Sequence, residues 1–231
     1  MKRVFLLSIV LTFAQISLGQ VVVITSADGY ANIRASQAGD NKIVDHVKSF
    51  QVILAFNDGI GVSEVDEVWS EAIGVRDPMS LMEGNSIYDN YIMGNIHTSQ
   101  YKSIDELADA DPKDFQFEYT HRPFTKEGKT ISYHQGSQAI DKINGEHYFG
   151  SDCGFPQEEV VRAVATIGNK KVEIPQKLLW GILHAGHEFT VKTFKGHYYV
   201  YQGIGDGSCF TYLVWHFDKD GLVQRFVGWP Y

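Results

Sequence analysis

Short runs of β-branched and aromatic residues, separated by turn-forming residues, recur along this whole chain. The N-terminal half contains the runs VVVITS, YANIRA, KIVDHV and QVILAF, with Gly, Asp and Asn between them. Runs of this length and composition are typical of β-strands. No long stretch of helical periodicity occurs in this half. The pattern therefore predicts a fold made mainly of strands.

The C-terminal half shows the same pattern with one helical exception. Residues 163–175 (AVATIGNKKVEIP) predict a hairpin around GNKK, and HEFTVKTF, HYYVYQGI and CFTYLVWHFD predict three further strands. The tripeptide KDG at 219–221 predicts a turn before LVQRFVGW. The run QKLLWGIL after Pro175 is the best helix candidate. We therefore expect a mainly β protein, with a β-rich (α+β) second domain that contains about one helix.

The first nineteen residues form a unit of their own. Lys2 and Arg3 precede the eleven-residue apolar run VFLLSIVLTFA, and a more polar QISLG follows. This is the layout of a secretory signal peptide, which predicts export to the periplasm or the extracellular space. No other run approaches the roughly twenty apolar residues that a membrane span needs, so none is expected after signal removal.

The charge of the exported chain limits its partners. Loss of Lys2 and Arg3 takes the formal charge from −8 to −10. Phosphate contacts need Lys and Arg, so this acidic surface argues against nucleic acid as a partner. It also disfavours unaided binding to anionic lipid surfaces.

The length remaining after signal removal, about 212 residues, predicts two domains. The acidic stretch 104–115 (IDELADADPKDF) has few apolar residues and contains Pro112, so it is the best linker candidate. We therefore expect one domain over 20–103 and a second, of unknown function, over 116–231.

Four pieces of the first domain occur in a specific order: GYANIRAS (29–36), KIVDHVKSFQVILAF (42–56), VWSEA (68–72) and MGNIHTSQY (93–101). Together, residues 27–101 resemble the bacterial SH3-like domain of exported proteins. The resemblance implies a small β-barrel that binds cell-wall peptides, glycans or a protein partner. The expected core residues of this barrel are Ile33, Val44, Val47, Val52, Leu54, Trp69 and Ile96.

Two departures from that family are visible. Ser49 stands where the family has a glycine, so the turn at this point must differ. A long segment, at about 73–90, is inserted where the family has a short hairpin. The candidate binding residues of the domain are Tyr30, Trp69, Tyr88, Tyr91 and His97.

Cys153 lies in the motif SDCGF, which is similar to the D-C-S-G-F motif of NlpC-type cell-wall cysteine peptidases. In that family a helix N-terminus lowers the thiol pKa, and a histidine on a later strand activates the thiolate. His197, in HYYVYQGIGDG, stands at the histidine position in this comparison. The family's serine is missing here, and the residues after the motif predict a strand instead of a long helix. The run GDG to RFVGW, with GSDCGFPQEEV upstream, is similar only to uncharacterised exported bacterial proteins and implies no activity.

Cys153 and Cys209 are the only two cysteines. In an exported chain this count favours one disulfide between them. Closing their 56-residue separation would contribute up to about 4 kcal/mol by the loop-entropy model.

Metal and cofactor sites have weak support in the sequence. His184 and His187 in HAGH have the spacing of two ligands one helical turn apart, but exposed loop histidines are the simpler interpretation. The loop GIGDG lacks the lysine and the following helix of a nucleotide site, so we expect no cofactor.

These observations favour an exported, non-catalytic binding protein whose ligand belongs to the cell envelope (a peptidoglycan peptide or glycan) or is a protein. Two alternatives stay open: a cell-wall cysteine peptidase that uses Cys153 and His197, and a secreted interaction or inhibitor protein that binds through strand edges or the inserted loop.

Overall fold

The computed structural model describes residues 19–36, 42–56, 68–79, 90–136, 140–150 and 155–228. Residues 1–18 of the predicted signal peptide, residues 80–89 of the predicted insert, and Cys153 lie outside these ranges.

The described part of the chain is mainly β, with one short α-helix, as the sequence predicts. The first half contains β1 (Gln20–Ile24), β2 (Tyr30–Arg34), β3 (Ile43–Lys48), β4 (Val52–Phe56), β5 (Trp69–Val75), β6 (Tyr91–His97) and β7 (Tyr101–Ser103). The rest contains β8 (Ala108–Asp109), β9 (Phe115–Pro123), β10 (Ile131–Tyr133), β11 (Ile140–Ile143), β12 (Glu158–Ile167), β13 (Lys170–Glu173), α1 (Gln176–Leu179), β14 (Thr190–Phe194), β15 (His197–Ile204), β16 (Thr211–Asp218) and β17 (Gly221–Gly228). Short 3-10 helices cover Thr98–Gln100, Ile104–Glu106 and Gly207–Cys209.

The first seven strands form one sheet in the order β3-β2-β6-β5-β4-β1-β7, with antiparallel pairing throughout. One face of this sheet encloses a set of buried apolar side chains, here called the first core: Val22, Ile24, Ala31, Ile33, Val47, Ile53, Ala55, Ala72, Ile92 and Ile96. Buried residues alternate with exposed or half-buried ones along β2, because successive side chains of a strand point to opposite faces of the sheet.

Strands β1 and β4 differ from β2 because their side chains are buried on both faces. In β1, Val22 and Ile24 belong to the first core, whereas Val21 and Val23 pack on the other side against the C-terminal half. This double burial explains why the sequences VVVI and VILAF are continuously apolar instead of alternating.

The C-terminal half forms three smaller sheets, with the orders β10-β11, β13-β12-β9 and β17-β16-β15-β14-β8. The predicted hairpin at 163–175 is present: β12 and β13 pair in antiparallel fashion, with Ile167 opposite Lys170. The KDG turn also lies between two paired strands, β16 and β17.

A second set of buried side chains, the shared core, joins the two halves. It includes Val21, Val23, Val52, Leu54 and Phe56 from the first sheet and Tyr119, Tyr199, Trp215, Phe217 and Phe226 from the second half. The side chain of Gln224 accepts a hydrogen bond from Val52 N (2.7 Å) and donates one to Val52 O (3.0 Å).

The predicted linker, 104–115, is folded and takes part in this core. Ile104, Leu107 and Phe115 are buried in it, and β8 pairs with β14. Ser103 caps the 3-10 helix that follows, since its Oγ accepts a hydrogen bond from Asp105 N.

Three local expectations need correction. Trp69, expected in the core of the barrel, is only half-buried and lies on the face of β5 opposite to Ala72 of the first core. The predicted helix QKLLWGIL forms only as the four residues of α1, because Trp180 has left helical geometry and Gly181 has a left-handed φ of 73°. Val44 is 42% exposed instead of buried, since β3 is the edge strand and Val44 lies over Gly94, which has no side chain. In the described part of the chain, no helix has the length and apolar character that crossing a membrane requires.

Candidate functional site

The strands β3, β2, β6 and β5 present a row of ring-bearing side chains on the face turned away from the first core. Ala31 and Ile33 point into that core, so Tyr30 on the same strand points to the other side. His46, Trp69 and His97 have the corresponding positions on β3, β5 and β6. We call Tyr30, His46, Trp69 and His97 the aromatic face.

The rings of the aromatic face form two edge-on pairs. Tyr30 and His46 have ring centroids 5.1 Å apart at an interplanar angle of 90°, and Trp69 and His97 are 5.2 Å apart at 83°. Trp69 and His97 are direct cross-strand partners. Edge-to-face contact is a favoured arrangement of aromatic rings, and it leaves one face of a ring open to a third group.

His97 is held in one orientation by the short 3-10 helix that follows it. Its Nδ1 accepts a hydrogen bond from Ser99 N (3.2 Å) and contacts Ser99 Oγ at 2.8 Å. Because Nδ1 is the acceptor, the proton of the neutral ring lies on Nε2. Nε2 is therefore a pre-oriented donor on the aromatic face.

The structure places the other candidate binding residues differently. Tyr91 is buried in the shared core, where its hydroxyl donates to Val227 O at 3.2 Å, so it packs the first sheet against β17. Tyr88 lies outside the described residues.

The residues of the peptidase hypothesis are only partly described. His197 begins β15, where its ring stacks on Phe50 (4.1 Å, 13°) and its Nδ1 lies 2.9 Å from Nε2 of the buried His216. Burial lowers the pKa of His197, and the nearby Asp218 opposes this shift. Cys153 lies outside the described residues, so its distance from His197 stays untested.

Cys209 is disulfide-bonded, and the described residues include no free cysteine. Its predicted partner, Cys153, lies outside those residues. The pairing therefore stays a prediction.

His184 and His187 face different partners instead of a common point. His184 Nε2 accepts a hydrogen bond from Gln157 N, and His187 lies edge-on to His121 with centroids 4.8 Å apart. Across the described ranges, no three His, Cys, Asp or Glu side chains are arranged to hold a metal ion.

His46 belongs to the aromatic face through its contact with Tyr30, although it was not among the binding residues predicted from the sequence. Its position follows from the register of β2 and β3, in which His46 is opposite Asn32 and Lys48 is opposite Tyr30. Residues 45–48 pair with β2 without a break, so His46 takes the face opposite to Val47, which belongs to the first core.

Comparison with protein-family models, with curated proteins and with solved structures finds no match for this chain.

Proposed function

We propose that this protein is an exported, non-catalytic binding protein whose aromatic face binds a peptidoglycan peptide or glycan of the cell envelope. The observation that carries the proposal is the two edge-on ring pairs, whose side chains stay exposed or half-buried on the face of β2, β3, β5 and β6 opposite to the first core. The apolar run at the N-terminus, with its basic start, supports export.

The chemistry of the face suits a ligand with both C–H surfaces and polar groups. A sugar ring or a short peptide can stack on Tyr30 and Trp69, while His97 Nε2 donates a hydrogen bond to a hydroxyl or carbonyl oxygen. The rigid sheet beneath these side chains lowers the entropic cost of binding, because few rotamers need to be fixed. The site requires no nucleophile and no metal.

Removal of the aromatic rings tests the proposal. In a sedimentation assay with purified peptidoglycan, we expect Trp69→Ala to weaken binding about tenfold or more, as for a central aromatic contact residue. Tyr30→Ala should weaken it by a smaller factor, because Tyr30 is the more exposed of the two rings. The measurement is the apparent Kd from the bound fraction against protein concentration.

Tyr133→Ala is the matched control. Tyr133 is 45% exposed, against 44% for Tyr30, but it lies on β10 in the other half of the chain. We expect no change in the Kd for this variant. Equal losses for Tyr30→Ala and Tyr133→Ala would contradict a specific site, and failure of the parent protein to sediment with peptidoglycan would contradict the envelope ligand.

A further inference from the structure

A small pocket in the C-terminal half lies between β9, β12 and the segment 176–183. Its volume is about 100 Å³, and Phe124, Ile143 and Leu183 form its apolar base. The pocket is located at a bulge of β12, where the pairing with β9 shifts register between Val160 and Arg162. Bulges of this kind change the direction of side chains and are frequent beside binding sites.

Charged side chains line one side of this pocket. Glu159 Oε1 accepts a hydrogen bond from Arg122 Nε at 2.7 Å and from Lys129 Nζ at 3.2 Å. The Lys129 and Glu159 side chains are only 11% and 14% exposed. Two cations therefore share one carboxylate, and the pocket keeps an excess positive charge in an otherwise acidic protein.

Some N–H groups of these two cations make no hydrogen bond within the described part of the chain. Of the three N–H groups of Lys129, one is directed to Glu159 and one to Thr125 O at 3.0 Å, and the ammonium also lies over the Phe124 ring, 4.6 Å from its centroid. Arg122 uses Nε for Glu159, and its two Nη atoms make no hydrogen bond with any residue in the described ranges. The N–H groups of Arg122 and Lys129 that make no hydrogen bond here can donate to an anion, and the net positive charge of the pocket favours the binding of one.

We infer that this pocket binds a small carboxylate group, supplied by a short-chain acid or by the C-terminus of a peptide. The volume equals that of about three liquid waters, which is enough for a carboxylate and a few further atoms. The carboxylate accepts hydrogen bonds from Lys129 and Arg122, and its alkyl part packs against Phe124 and the partly exposed Trp180. The negative charge of the bound anion compensates the positive charge of Arg122 and Lys129 that Glu159 alone leaves uncompensated. This inference is independent of the ligand proposed for the aromatic face.

The test is a titration of the full exported protein with propionate at constant ionic strength. The indole N–H signal of Trp180 is followed by NMR and assigned with Trp180→Phe. We expect saturable binding with a Kd on the order of millimolar, consistent with the few atoms of the ligand. The uncharged propionamide, which has the same size, should bind about tenfold or more weakly because it offers no charged acceptor. A parallel titration with N-acetylalanine distinguishes the two sources of the carboxylate. A lower Kd for N-acetylalanine than for propionate indicates a peptide C-terminus, and the reverse indicates a free short-chain acid.

Two variants and one matched control decide the assignment. Lys129→Met and Arg122→Gln should each weaken propionate binding about tenfold. Arg122 is 62% exposed, so its substitution is compatible with folding even if loss of Lys129 is not. Lys126→Met removes a neighbouring exposed lysine outside the pocket and should leave the Kd unchanged. Equal affinity for propionate and propionamide, equal losses for Lys126→Met and Arg122→Gln, or no saturable shift would overturn the inference.

Discussion

Replacement of Gly150 by alanine should destabilise the folded protein by about 3 kcal/mol or more. Gly150 has a φ of +86°, and a Cβ built there lies 1.9 Å from Leu183 O and 3.1 Å from Ile204 Cδ1. The obstacle is backbone, which cannot rotate away as a side chain can. The added methyl group would separate Phe149 from the segment 181–183, with which it exchanges two backbone hydrogen bonds.

Gly128→Ala separates the steric part of this effect from the conformational part. Gly128 has a similar φ of +72°, but a Cβ there meets no atom within 4 Å. We expect this variant to lose only about 1–2 kcal/mol, the cost of a left-handed conformation for a residue with a side chain. Urea unfolding measures both changes. If the two alanine variants lost the same free energy, the close contact between Gly150 and Leu183 would be wrong.

The free energy of unfolding should fall by about 2 kcal/mol between pH 7.5 and pH 5 because of His216 alone. His216 is buried on β16 and stacks on Tyr199 (4.6 Å, 19°). Burial, with a smaller contribution from His197, lowers its pKa from 6.5 to about 3. Its Nδ1 makes no hydrogen bond within the described residues, so a proton added there finds no acceptor.

The sign of the effect follows from proton uptake. Between pH 6.5 and about pH 3 the unfolded chain binds a proton at this position and the folded chain does not, so acid favours unfolding. The loss approaches about 1.4 kcal/mol per pH unit well below pH 6.5. His216→Phe keeps a ring against Tyr199 and should flatten this dependence when unfolding in urea is followed at several pH values. An unchanged pH dependence would show that His216 binds its proton in the folded state.

The strands could be predicted from the sequence because their signals are local. The β-branched runs and the turn residues between them give most of the described strands, and the hairpin of β12 and β13 has the predicted turn, but the strands from β7 to β11 were not predicted. The apolar run QKLLWGIL was misleading, since a left-handed residue ends its helix after one turn. The linker prediction was also misled by a local pattern. The acidic composition of 104–115 indicated an exposed segment, but Ile104, Leu107 and Phe115 are buried in the shared core.

The candidate sites depend more on contacts between distant residues. Trp69 and His97 could be predicted as ring-bearing residues, but their edge-on pairing follows from the register of β5 and β6. Tyr91 has the same residue type as Tyr30, yet the packing of β17 buries it. The pair Arg122 and Glu159 is 37 residues apart and depends on the pairing of β9 with β12. No short sequence motif contains such information.

The double burial of β1 and β4 has a consequence for any attempt to divide this protein. A fragment that ends at residue 103 would expose Val21, Val23, Val52 and Leu54 to water and would leave Val52 without the side-chain amide of Gln224. Such a fragment should aggregate instead of folding as an autonomous module. Since the two halves are joined by one set of buried contacts, they should melt together in a single transition. A ligand of the aromatic face would then raise the melting temperature of the whole chain, including the distant Trp215.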